Sequence, residues 1–200
     1  MYSESPFAPS GNSLTYTPPA DMDDAYENRK YIPNADRHIE NWSQEAPALR
    51  SSVSDAQWNK PYGPHDRHCY DLIWPKCGEG SEKGLLIIIH GGYWVAFSKD
   101  NYSHLAAGAL ACGWAVAMLS YRLAPAARIH EITGDVTRAV NHLAKIGNGP
   151  MRLAGHSAGG HLVTRMMCKD TALDDVTAAR IDRVISISGL HDLRPLLGLQ

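Results

Sequence analysis

Met151-Arg152-Leu153-Ala154-Gly155-His156-Ser157-Ala158-Gly159-Gly160 is the stretch whose reading decides the fold. Met151 to Gly155 suit a short strand, and His161-Leu162-Val163-Thr164-Arg165-Met166-Met167-Cys168 begins a helix. Between them Gly155-His156-Ser157-Ala158-Gly159 fits G-x-S-x-G, a pattern that is common by chance and gains meaning from the strand before it and the helix after it. A serine at such a junction sits on a strained turn that lifts its oxygen above the sheet. Gly155 and Gly159 let strand and helix approach closely around that turn. The helix N-terminus behind Ser157 favours negative charge developing there. Ser157 is therefore the candidate nucleophile.

Upstream, Leu85-Leu86-Ile87-Ile88-Ile89-His90 is a continuous apolar run, which suits a central strand buried on both faces. His90-Gly91-Gly92-Tyr93-Trp94 follows it directly. Acyl transfer generates an oxyanion, and backbone N–H groups stabilise one without reorganising. The expected donors are the N–H groups of Ala158, Gly92 and Tyr93, with Gly91 shaping the loop. Loss of one such donor costs about 3 to 4 kcal/mol of transition-state stabilisation. Trp94 is expected to pack the loop. His156 and His161 lie on or beside the helix of the nucleophile and read as structural.

The rest of the chain repeats the alternation of strand and helix. His68 to Pro75, with Leu72 and Trp74 on one face, suits an outer strand. A helix is expected near Asn101 to Cys112, ended by Gly113. Trp114 to Ser120 is the next strand. Ile129, Ile132, Val136, Val140 and Leu143 form one apolar helical stripe, which Gly147, Gly149 and Pro150 stop. Arg183 to Ser188 is a further strand. This alternation predicts an α/β fold with a mostly parallel sheet and helices on both faces. Nearer the N-terminus, Asn34 can cap a helix carrying Ile39, Trp42 and Ala46, with Pro47 expected to end it. Residues 1–20, rich in Ser, Pro, Tyr and Gly, read as a disordered tail, and 21–200 as one domain.

A net charge of −2 supplies no basic field for nucleic acid or an acidic membrane. No apolar run approaches the roughly 20 residues that cross a bilayer, and residues 1–19 lack the basic and apolar regions of a signal peptide. Cys69, Cys77, Cys112 and Cys168 show no CxxC spacing and read as reduced, mostly core thiols of a cytoplasmic protein. His38, His65 and His68 have no metal-ligand spacing and no HExxH motif occurs, so neither metal nor cofactor is expected.

At HGGYW (90–94) and GHSAGGHL (155–162) the sequence resembles the serine-type kynurenine formamidase, or arylformamidase, branch of the α/β-hydrolases, close to the hormone-sensitive-lipase-like esterases. Tyr62-Gly63-Pro64-His65 followed by Asp71-Leu72, the run Ser120-Tyr121-Arg122-Leu123-Ala124-Pro125, and Ser188-Gly189-Leu190-His191-Asp192-Leu193-Arg194-Pro195 resemble further family stretches. The resemblance implies an α/β-hydrolase fold and hydrolysis of N-formyl-L-kynurenine to kynurenine and formate, with a small molecule as partner. Carboxylesterase action on small acyl esters is the alternative.

The chain departs from that family after Ser157. The fold orders its triad as Ser, then Asp or Glu, then His. Only His161 and His191 follow Ser157, and no His follows Asp192, which matches a family Asp outside the triad. The triad Asp and His are thus expected to be missing, along with the C-terminal strands. An inactive, truncated remnant is then a third reading. Arg183 to Ser188 would become a sheet edge, which predicts self-association or a homo-oligomer.

Overall fold

The computed structural model describes residues 24, 26–76 and 79–198. The expected tail over residues 1–20 and Cys77 lie outside the described residues. The described residues fall into two compact units. One takes the chain up to Ala35 and from Asp192 onward, and the other spans Asp36–His191. The first holds a single helical turn, Asn28–Tyr31, and a 3-10 turn, Arg194–Gly198. Lys30 and Tyr31 both reach the Asp24 carboxylate, and Arg194 pairs with Asp192.

The second unit is built on a six-stranded sheet. Its strands are β1 (Ala56–Pro61), β2 (Cys69–Ile73), β3 (Leu85–Ile89), β4 (Ala115–Leu119), β5 (Met151–His156) and β6 (Ile181–Ile187), in the spatial order β1-β2-β4-β3-β5-β6. The pairs β3–β4, β3–β5 and β5–β6 are parallel, whereas β1–β2 and β2–β4 are antiparallel. The helices are α1 (Ala35–Ser52), α2 (Ala106–Ala111), α3 (Ile129–Leu143), α4 (Ala158–Arg165) and α5 (Asp175–Arg180). This is the α/β-hydrolase fold, a mixed and mostly parallel sheet with helices packed on it.

The apolar run that predicted a central strand is β3, flanked by β4 and β5, and Ile87 and Ile89 are wholly buried. Side chains alternate across a strand, so Ile88 faces the other way. There it joins Ile73, Val116, Met118, Tyr102 and Ala106 in one cluster, against which Trp42 and Leu49 of α1 pack. The stripe on α3 is also where the periodicity placed it, with Ile132, Val136, Val140 and Leu143 fully buried.

Four expectations need correction. Pro47 lies inside α1 and does not end it. A proline in a helix interior costs about 3 kcal/mol, but Trp42 before it and Leu49 after it pack on the same cluster, and that burial carries the helix across. The strand read as an outer one, β2, is interior, because β1 covers its flank. The region from Lys99 begins as a 3-10 helix, Lys99–Leu105, before α2, and Gly113 (φ 80°) follows as the helix stop. The thiols are not core residues: Cys112 is exposed and Cys69 and Cys168 are half-buried, all three free.

Register places the site. Ile89 stands level with Leu119 on one side and Gly155 on the other. The segments that follow β3, β4 and β5 therefore leave the sheet together at the carboxyl ends of parallel strands, where open α/β sheets hold their ligands.

Candidate active site

Ser157 joins β5 to α4 at φ 54°, ψ −118°, a region that non-glycine residues occupy only when the surroundings enforce it. The enforcement is visible on both sides. Its N–H donates to the Ile187 carbonyl (2.9 Å), and its carbonyl opens α4 by accepting from His161 N–H (3.1 Å). Tight packing leaves no room for side chains at the two flanking glycines. A Cβ on Gly155 would meet the Gly159 carbonyl oxygen at 2.2 Å, and one on Gly159 would meet the Ile89 carbonyl oxygen at 2.1 Å. Ser157 itself is half-buried.

The His90–Trp94 loop lies against this turn. A Cβ on Gly91 would sit 3.2 Å from Ser157 Cβ and 2.8 Å from the His156 carbonyl oxygen. Only glycine permits that approach. Gly92, Tyr93 and Trp94 then run in succession through the left-handed region, at φ 107°, 48° and 59°. Gly92 and Tyr93 are half-buried, and Ala158 takes the first helical position, where no carbonyl of a preceding turn meets its N–H.

Buried side chains hold the loop from behind. His90 is 1 % exposed, and burial holds its imidazole neutral, with a pKa of about 4. Trp94 is buried edge-on to His161, at a centroid distance of 5.4 Å, and its carbonyl accepts from Ala124 N–H (2.8 Å). Arg67 clamps two segments at once, donating from Nε to the Tyr121 carbonyl (2.7 Å) and from Nη2 to the Phe97 carbonyl (2.7 Å). Neither Arg67 nor the support from Tyr121 was read from the sequence. Tyr121 carried a signal, since it lies two residues past β4, which ends level with β3.

His161 and His191, the two histidines that follow Ser157, are engaged elsewhere. His161 Nδ1 donates to the Leu190 carbonyl (2.9 Å), which ties α4 to the segment after β6. His191 contacts Ser186 Oγ (3.2 Å) and Thr164 Oγ1 (3.4 Å). Burial lowers the pKa of both His156 and His161. Asp192 is ion-paired with Arg194. The described residues thus bring Ser157 and the backbone of the Gly91 loop together without an acid–base pair on Ser157. No group of three His, Cys, Asp or Glu side chains among them could hold a metal ion. No helix among them is long and apolar enough to cross a membrane.

Residues 86–196 match the sequence profile of a family described as having the alpha/beta hydrolase fold. The kynurenine formamidase of Danio rerio is 30% identical over 153 residues, which are 73% of this chain and 50% of that protein. The kynurenine formamidase of Salmo salar is 30% identical over 146 residues, 70% of this chain and 47% of that protein. The chain therefore spans about half the length of the curated relatives it matches. A solved structure from Silicibacter sp., provisionally named a thioesterase, is 50% identical with a TM-score of 0.84, covering 88% of this chain and 66% of that one. A Pyrobaculum calidifontis esterase shares the fold at 24% identity and a TM-score of 0.57, covering 77% of this chain and 52% of that one.

Proposed function

Because the chain belongs to the alpha/beta hydrolase fold family, we propose that it carries the nucleophile half of a serine hydrolase that cleaves N-formyl-L-kynurenine to kynurenine and formate. The observation that carries this reading is the strained backbone of Ser157 with the Gly91 loop packed against it. Ser157 Oγ attacks the formyl carbon, and the N–H groups of Gly92, Tyr93 and Ala158 receive the oxyanion. The C–N bond then breaks, the arylamine leaves with a proton, and water releases formate from the formyl-enzyme. Each step needs a general base or acid, and the described residues place none on Ser157. The 200-residue chain alone is accordingly expected not to turn over. A small molecule is its partner under this reading, and the free thiols of Cys69, Cys112 and Cys168 suit the reducing cytoplasm.

The Silicibacter structure, at 50% identity, favours a second reading in which Ser157 cleaves small acyl esters or thioesters. Hydrolysis of N-formyl-L-kynurenine and of p-nitrophenyl acetate, measured side by side on the protein expressed from its complete reading frame, separates the two. The formamidase reading expects the formamide to be preferred and Ser157→Ala to lower turnover about a millionfold. A strong preference for the ester overturns the substrate, and turnover that survives Ser157→Ala overturns the site.

A further inference from the structure

The peptide unit joining Gly91 to Gly92 carries one of the proposed oxyanion donors, the Gly92 N–H. Its carbonyl end accepts from His90 Nδ1 at 2.8 Å. A carbonyl only accepts, so Nδ1 bears the proton and Nε2 is bare, and Nε2 is buried without a partner. In a trans peptide the C=O and N–H point opposite ways in one plane. Whatever holds the Gly91 carbonyl therefore aims the Gly92 N–H, and the bond to the oxygen also polarises that N–H.

The imidazole that does this is itself held. The Tyr121 ring lies parallel to it, with centroids 4.2 Å apart and planes 9° apart. The Tyr121 hydroxyl donates to the His90 carbonyl at 2.8 Å, which fixes the preceding peptide unit as well. Tyr121 thus reaches two successive peptide units of the loop, the first directly, where Tyr102 also meets the Gly91 backbone, and the second through the imidazole. Tyr121 is wholly buried and its own carbonyl is clamped by Arg67. Burial keeps the phenol protonated, as a donor must be.

We propose that Tyr121 is a positioning residue for hydrolysis, setting the direction of the Gly92 N–H through the carbonyl and imidazole of His90. The proposal rests on the reading of Ser157 and Gly92 given above. Tyr70 supplies the control. Its ring is also buried, and its hydroxyl meets His142 Nε2 of α3 at 3.3 Å rather than the backbone around Tyr121.

The test is phosphonylation of Ser157 by a fluorophosphonate, followed by mass spectrometry on the protein expressed from its complete reading frame. This reaction uses the nucleophile and the oxyanion donors whatever the natural acyl group. Tyr121→Phe keeps the ring stack and removes the hydroxyl. It is expected to lower the maximal labelling rate about tenfold with little change in half-saturating reagent. Tyr121→Leu, which loses the stack too, should lower it further. Tyr70→Phe, which also removes the hydroxyl of a buried tyrosine, should leave labelling unchanged. Equal labelling rates in Tyr121→Phe and Tyr70→Phe, with labelling still dependent on Ser157, overturn the proposal alone. Failure of the parent to label, or labelling that persists in Ser157→Ala, overturns the site and the proposal with it.

Discussion

Around Asp71 every charge is answered, whereas at the Ser157 turn polar atoms are left over. Asp71 is fully buried in β2, and Arg50, the Lys99 ammonium (2.9 Å) and the Asn59 N–H (2.8 Å) all converge on its carboxylate. Lys99, itself 1 % exposed, also meets Asp100 at 2.8 Å. By contrast, His90 Nε2, Trp94 Nε1 and His156 Nδ1, on the loop and the strand end that meet at Ser157, are buried with no partner, and Ser157 holds a strained φ. The first region ties α1 and the 3-10 helix from Lys99 to the sheet. The second stores strain and unsatisfied hydrogen-bonding groups at the carboxyl ends of the parallel strands, where open α/β sheets hold their ligands.

The contrast breaks most readily at Asp71. Asp71→Ala leaves the buried Lys99 ammonium with only Asp100, and is expected to cost about 3 to 5 kcal/mol in urea unfolding. Ser157→Ala should leave the urea midpoint in place. A loss under about 1 kcal/mol for Asp71→Ala would make the cluster ornamental and remove the distinction. Gly159→Ala probes the second region from the packing side. Its Cβ would meet the Ile89 carbonyl at 2.1 Å, so α4 must retreat, at about 1 to 3 kcal/mol and with loss of Ser157 labelling. Unchanged labelling would show that the turn tolerates displacement.

A smaller effect appears with pH. His90 has a folded pKa of about 4 against an ordinary 6.5, so the unfolded chain binds its proton first as pH falls. The contribution of His90 to stability is constant above about pH 6.5, declines below it, and levels off near 4. Between pH 7 and pH 5 His90 contributes a loss of about 2 kcal/mol. His156 and His161, also lowered by burial, add in the same sense. A stability profile flat from pH 7 to 5 would contradict the buried neutral imidazole. The smallest effect concerns β6, which pairs only with β5 among the described residues and exposes Ile185 (41 %) and Ile187 (53 %). Ile187→Lys is expected to reduce concentration-dependent self-association of the 200-residue chain in light scattering. An unchanged profile would exclude that edge as the contact.

Sequence signals reached the second region better than the first. The Ser157 turn is local: strand, glycines and helix are adjacent in the chain, so the pattern and its context are read together. The α3 stripe and the β3 run are likewise local periodicities. The Asp71 cluster draws on Arg50, Lys99 and Asp100, whose meeting depends on strand order and leaves no pattern in the chain. β1 escaped for a related reason. Gln57, Asn59 and Lys60 give it no apolar alternation, Asn59 sits at φ 53°, and pairing with β2 alone makes it a strand. The Pro47 error came from weighing a local cost without the distant cluster that offsets it.

The central place of β3 also has a cost during synthesis. Leu85–Ile89 takes β4 as one neighbour and β5 as the other, and β5 begins only at Met151. At roughly 5 to 20 residues per second, several seconds separate the emergence of β3 from that of its second partner. Through that interval the most apolar segment of the nascent chain stands with one flank unpaired, and parallel pairing between distant strands is slow even once both are present. Leu85–Ile89 is therefore the part of the sheet most open to misassociation while the chain is being made.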